Sequence, residues 1–300
     1  MSRPSVPGLF FLFSFLVTIP TIYAGNLDFE NARREYRSGS QATALRLFRE
    51  IIEADQAFVA EAHWYMARIS VDLGDVEQAF RHFERAIERQ DFAVPDDRIR
   101  AMHDLARLYY QEQQFFRYEE TMTRLFAYDQ EFTGDASPSR RANIEQVFMR
   151  QSLARALELY RLRPGPFAAA HYEFGMHLLQ NGRDDSLQHL LFYLLDTYSI
   201  AIEHVRRVEP RYRFIDLFHF TRDIRHTREV NAFLEQRNAY AAIASLGDTM
   251  YFHGGGGIAP RRARELWFFV SQQTVAGDAA EHARRQLERE QPLNPGPGMQ

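Results

Sequence analysis

The stretch WYMARISVDLGDVEQAFRHFERAI, residues 64–87, decides the fold. Trp64, Met66 and Ala67 sit in a first helical segment. Gly74-Asp75 is a turn dipeptide. Ala79, Phe83, Ala86 and Ile87 then recur at the spacing of one helix face. Two short helices joined by a tight turn cannot bury both apolar faces by themselves. Such a unit is stable only when stacked on neighbours of the same kind.

The neighbours are in the sequence. Thirty-five residues before Ala67, Gly74, Ala79, Phe83 and Ala86 stand Ala32, Gly39, Ala44, Phe48 and Ile51. Thirty-nine residues after them stand Ala106, Gln113, Tyr118, Met122 and Leu125. The longer second step fits a loop insertion at Ala93-Val94-Pro95-Asp96-Asp97, where a proline and two acids mark a helix start. Alanines let paired helices approach closely, and the large residue fills the gap to the next unit. Over residues 25–132 this pattern resembles the tetratricopeptide repeat, in three units. Two departures are plain. The proline that usually closes a unit is replaced by Gln56, Asp91 and Gln130. The third unit has Gln113 and Tyr118 where glycine and alanine are usual.

Residues 133–237 are less regular. A loop at 133–138 leads to one long expected helix over 140–162, ended by Arg163-Pro164-Gly165-Pro166. A divergent helix pair is expected near 168–201. It carries Tyr172, Phe174, Gly175 and Leu178, a turn at Asn181-Gly182, and Leu187, Leu190, Leu191, Leu194 and Leu195; its second helix extends toward Val208. Further helices are expected over 214–225 and 229–245. Residues 238–290 carry Leu246-Gly247, Met250-Tyr251, four glycines at 254–257, Ala263, Leu266-Trp267-Phe268 and Ala280. This order resembles the Sel-like repeat, a relative with a glycine-bearing loop between its helices. Residues 291–300 read as a disordered tail. No segment alternates as a half-buried strand does. The expected fold is therefore all-α, a right-handed α-solenoid of TPR-like and Sel-like helix-turn-helix repeats.

The first 24 residues have another purpose. Arg3, an apolar run from Leu9 to Ile19, Pro20 and Ile22-Tyr23-Ala24 follow the order of a secretory signal cleaved after Ala24. The run is shorter than the ~20 residues a membrane-spanning helix needs. The expectation is a secreted or periplasmic protein with no stable membrane span after cleavage. With no cysteine in the chain, lipid anchoring through that residue, disulfides, thiolate metal sites and cysteine nucleophiles are all excluded. There is no lysine either, so Schiff-base and phosphate-loop lysine chemistry is excluded, and all 36 basic residues other than histidine are arginine. A net charge of −4 argues against a nucleic-acid partner.

Little in the chain suggests catalysis. No HExxH occurs. Asp185 and His189 share a helical face near Asp184 and His171, but nothing fixes a third metal ligand. The glycines at 254–257 precede Arg261-Arg262 without the GK[ST] of a phosphate loop, and fit an ordinary repeat loop. The reading is no catalytic residue, no metal and no cofactor. The feature that recurs in register is Arg33, Arg68 and Arg107. One turn before them stand Phe29, Trp64 and His103; just after come Tyr36 with Arg37, and Tyr110. In tetratricopeptide domains these first-helix positions line a concave groove, so the resemblance implies a groove mixing arginine with aromatics. Arginine forks onto carboxylates, so the groove suits an acidic or carboxylate-bearing protein or peptide. The alternative is internal pairing with Glu35, Asp72 or Asp104. In the fourth unit Met176 and Tyr172 stand in place of arginine and its aromatic. The function expected is an extracytoplasmic interaction scaffold or adaptor, serving envelope, appendage or transport-complex assembly, with self-association allowed. A periplasmic carrier of an apolar small molecule or lipid, and a helical-repeat enzyme such as a cell-wall hydrolase, are the alternatives.

Overall fold

A computed structural model describes residues 19–55, 57–89, 91–133, 138–160, 167–253 and 258–289. The expectations for residues 1–18 of the signal, the 134–137 loop, the 163–166 helix stop, the glycines at 254–257 and the tail lie outside the described residues. Among the described residues all regular structure is helical, in fifteen α-helices and one 3-10 turn. None of the helices is long and apolar enough to cross a membrane. The chain divides into two compact units, residues 1–121 and 122–300.

The first unit holds α1 (Ile19–Arg37), α2 (Gln41–Glu53), α3 (Val59–Asp72), α4 (Val76–Glu88), α5 (Pro95–Gln111) and the start of α6 (Phe115–Thr133). Consecutive helices pack as pairs, α1 on α2 and α3 on α4; α2 also packs on α3, and α5 on both α3 and α4. The residues in register meet where the periodicity places them. Ala32, Ala44, Phe48, Ala67, Ala79, Phe83, Ala86 and Ala106 are all essentially inaccessible. Helix α1 is continuous through the Ala24-Gly25 junction. Helix α5 begins at Pro95, whose missing N–H costs nothing at a helix start, with Asp96 and Asp97 in its first turn.

The helix ends repeat as faithfully as the cores. At Gly39, Gly74, Gln113 and Gly182 the backbone turns left-handed, with φ of 83°, 76°, 57° and 67°. Each of these N–H groups donates to the carbonyl three residues back, and the next N–H to the one five back. The pairs are Gly74 to Val71 and Asp75 to Ser70, and likewise Gln113 to Tyr110 and Gln114 to Tyr109. This double bond satisfies carbonyls that a helix C-terminus leaves open, and it favours glycine because a Cβ resists positive φ. Asp75 then caps α4, accepting from the Gln78 N–H at 3.1 Å. Gln113 occupies the same conformation without glycine's freedom.

The second unit holds α7 (Pro138–Arg150), α8 (Leu153–Leu159), α9 (Phe167–Gln180), α10 (Ser186–Val208), α11 (Leu217–Ile224), α12 (Arg228–Gln236), α13 (Ala239–His253), α14 (Ile258–Ser271) and α15 (Gly277–Glu288). Helices α9 and α10 form the expected divergent pair, and α10 does run to Val208. It packs on α13, which pairs with α14. Two expectations are corrected. The helix over 140–162 is broken at Gln151-Ser152, because Ser152 turns extended (φ −170°) and its hydroxyl accepts from the Arg155 N–H, starting α8 afresh. The helix over 229–245 is broken at Asn238, which takes positive φ (49°) between α12 and α13.

Candidate functional site

The first helices of the repeats, α1, α3 and α5, carry the arginine and aromatic positions. Tyr65 joins α1 to α3. Its ring lies edge-on to Phe29 (6.0 Å) and Tyr36 (5.2 Å) and stacks on Phe48 (5.2 Å). Phe29 in turn stacks on Phe58 at 4.7 Å. On this aromatic floor the three helices present their side chains.

Arg68 is the best-defined of them. Its guanidinium carbon lies 5.5 Å from the Tyr36 ring centroid and 5.5 Å from that of Trp64. Its Nε is 3.9 Å from Asp104 Oδ2, an oxygen that also accepts from Trp64 Nε1 at 2.9 Å. One cation is thus held by a ring from α1, a ring from α3 and a carboxylate from α5. The Arg68 side chain keeps 41% of its surface exposed. Contact with two rings restricts the guanidinium and lowers the entropy lost when its remaining N–H groups meet a carboxylate. Burial pushes the Tyr36 phenol up, against the opposing pull of Arg68.

The other predicted residues divide into floor and surface. Phe29, Trp64 and His103 are buried. Arg33 lies over the Phe29 ring at 5.7 Å and pairs with Glu30 at 2.5 Å. Arg37 and Arg107 are exposed. Tyr110 is 42% exposed and lies edge-on to Phe115 and Tyr118 near the α5–α6 turn. The structure therefore brings Tyr36, Trp64 and Arg68 together, sets Phe29 with Arg33, and places Tyr110 in a separate aromatic cluster. Internal pairing is realised at Arg33 and Arg68, through Glu30 and Asp104. Both acids, and Tyr65, occupy one phase of the repeat, the residue after Phe29, Trp64 and His103. That shared phase was the signal that could have found Tyr65.

Two histidine pairs, one part-buried and one buried, cross-link hairpins. His63 of α3 meets His82 of α4, Nδ1 to Nδ1 at 3.0 Å; His171 of α9 meets His189 of α10 at 2.9 Å. One nitrogen of each pair donates and the other accepts, so each pair shares one proton. Burial first, and nearby arginines with it, lowers His63 to about 4 and His189 to about 3. Asp184 and Asp185 do not join the second pair: Asp184 pairs with His253 at 3.0 Å and Asp185 with Arg183 at 2.9 Å. Among the described residues no three potential metal ligands cluster. Of the arginines after the glycine run, Arg261 pairs with Glu265 and Arg262 donates to the Gln151 carbonyl.

The class these observations define is an all-helical protein of neighbouring helix pairs, consistent with a helical-repeat protein. No protein-family model matches the sequence, and no curated protein matches it.

Proposed function

We propose that the chain is a non-catalytic, exported interaction protein, in which residues 25–132 form a right-handed tetratricopeptide-like array and residues 238–290 a Sel-like one. Its partner is a protein segment bearing acidic side chains or a terminal carboxylate, taken on the face carrying Tyr36, Arg37, Arg68 and Arg107. The observation that supports this reading most is Arg68, half-exposed yet in contact with the rings of both Tyr36 and Trp64. A solubilising surface arginine has no need of two aromatic rings from different helices, whereas a carboxylate receptor gains from an oriented fork. The reading also rests on the repeat register and on the signal-like order of residues 1–24, which supports a partner outside the cytoplasm.

The test is crosslinking pull-down from the native envelope with the full chain as bait, repeated with Arg68→Ala. A hydrogen bond to a charged group contributes about 1.5–3 kcal/mol, so capture of the specific partner falls by about one to two orders of magnitude. Circular dichroism of the variant stays helical, because the side chain lies at the surface. Undiminished capture by Arg68→Ala removes this face from consideration.

A further inference from the structure

The C-terminal half of α10 carries Ser199, Ile202 and Arg206 on one side, at spacings of three and four residues. They form a wall of a cleft of about 380 Å³ in the second unit. Leu157 of α8 and Tyr160 at its end form another wall; Arg213 and Phe214, after the Glu209-Pro210 break, form the third. The apolar part is rigid. Ile202 is buried, Phe214 lies edge-on to Tyr198 at 6.0 Å and against Phe220 at 5.6 Å, and the Tyr160 hydroxyl donates to Asp196 at 3.5 Å.

The cleft itself is lined by two glutamates and two arginines, and the segment that closes it is rich in arginine. Residues 206–213 contain four arginines and one glutamate, in a chain whose net charge is −4. Both acids that line the cleft are already engaged, Glu158 by Arg155 and Glu203 by Arg206 at 2.9 Å. Arg206 is further held by donating from Nε to the Tyr212 carbonyl at 3.3 Å. Among the described residues Arg213 has no hydrogen-bond or ion-pair partner, and it lines both this cleft and a shallower one beside it with Arg206 and Arg211. A guanidinium unpaired among the described residues thus stands beside an apolar floor.

We propose that this cleft binds a small carboxylate with an apolar tail, the Arg213 guanidinium holding the carboxylate and Ile202, Phe214 and Tyr160 packing on the tail. A single free guanidinium between two rim carboxylates suits one negative charge and disfavours a dianion. Apolar lining with a few fixed polar groups is the composition of small-molecule sites, and the volume lies at the lower end of their roughly 300–1,000 Å³ range. The site lies wholly in the second unit and does not depend on the Arg68 face.

Isothermal titration of the full chain with octanoate, octanol and inorganic phosphate tests it. Octanoate binds saturably at one site, and Arg213→Gln weakens it at least tenfold. The exposed position lets that variant fold, which circular dichroism checks. Octanol and phosphate, each lacking one half of the ligand, bind at least tenfold more weakly than octanoate. Arg68→Ala leaves octanoate binding unchanged, so loss of partner capture and loss of this site are read separately. The proposal is overturned by no octanoate binding, by equal binding to Arg213→Gln, or by octanol or phosphate binding as tightly as octanoate.

Discussion

Trp267 of α14 and Gly247 of α13 face each other so closely that one excludes a side chain on the other. A Cβ built on Gly247 would lie 2.7 Å from Trp267 Nε1 and 3.3 Å from the Ala263 carbonyl oxygen. The indole has no room to retreat: it is fully buried and donates to the Ala244 carbonyl at 3.2 Å and to Asp248 Oδ1 at 3.1 Å. Asp248 is itself buried, and burial raises its carboxyl while His282 (2.8 Å) and Gln286 (3.1 Å) of α15 pull it back down. One carboxylate therefore ties three helices. Gly247→Ala forces the indole off these acceptors, and overpacking of this kind costs about 1–3 kcal/mol. The expected result is a lower denaturant midpoint with an unchanged slope; an unchanged midpoint would show that the indole can shift freely. Gly247 and Trp267 were legible as part of a repeat pattern. Asp248, His282 and Gln286 were not, because a helical acid thirty-four residues from its histidine gives no local signal.

At the scale of elements, the turns repeat more strictly than the residues that build them. Of the four turns closed by that pair of hydrogen bonds, three have glycine at the left-handed position and one has Gln113. A residue with a Cβ pays roughly 1–2 kcal/mol in that region of conformational space, and Gln113 is exposed, so its side chain contributes no packing in return. Gln113→Gly should stabilise the first unit by about 1 kcal/mol, after the greater flexibility of glycine in the unfolded chain is allowed for. Thermal melts of the two proteins check this; a lower melting temperature for the glycine variant would mean that Gln113 makes a contact worth more than its strain. The helix breaks at Ser152 and Asn238 show why some boundaries escaped the sequence. Serine and asparagine are tolerated inside a helix and also stop one, and only the path of the neighbouring helices selects between those outcomes.

At the scale of the whole molecule, buried titrating groups act on stability in opposite directions. His63 and His189 fall to about 4 and about 3 in the folded chain, from an ordinary value near 6.5. Below pH 6.5 the unfolded chain takes up their protons first, so each removes stability as pH falls through that window, by up to about 1.4 kcal/mol per pH unit. Asp196 behaves oppositely. Burial raises it to about 6, so the folded chain protonates it before the unfolded one does, and stability is gained between about pH 6 and pH 4. The two effects separate in variants. Relative to the parent, His63→Gln gains denaturant resistance as pH is lowered from 6.5 to 4, and Asp196→Asn loses it. Parallel pH profiles for parent and variants would remove these groups from the acid response.

The same scale divides what the chain's order of residues determined from what folding decided. Helix pairs, their three-fold phase, the turn at Gly74 and the burial of Ala67, Phe83 and Ala106 follow from periodicity within forty residues, because a helix face and a capped turn are local properties. The contact of Arg68 with Tyr36 and Trp64, the sharing of Asp104, the two histidine pairs and the placement of Arg213 were decided by tertiary structure. All but the last depend on side chains from different helices converging within a few ångströms, and Arg213 on the path of the segment between α10 and α11; both are set by packing of the whole unit rather than by any segment of it.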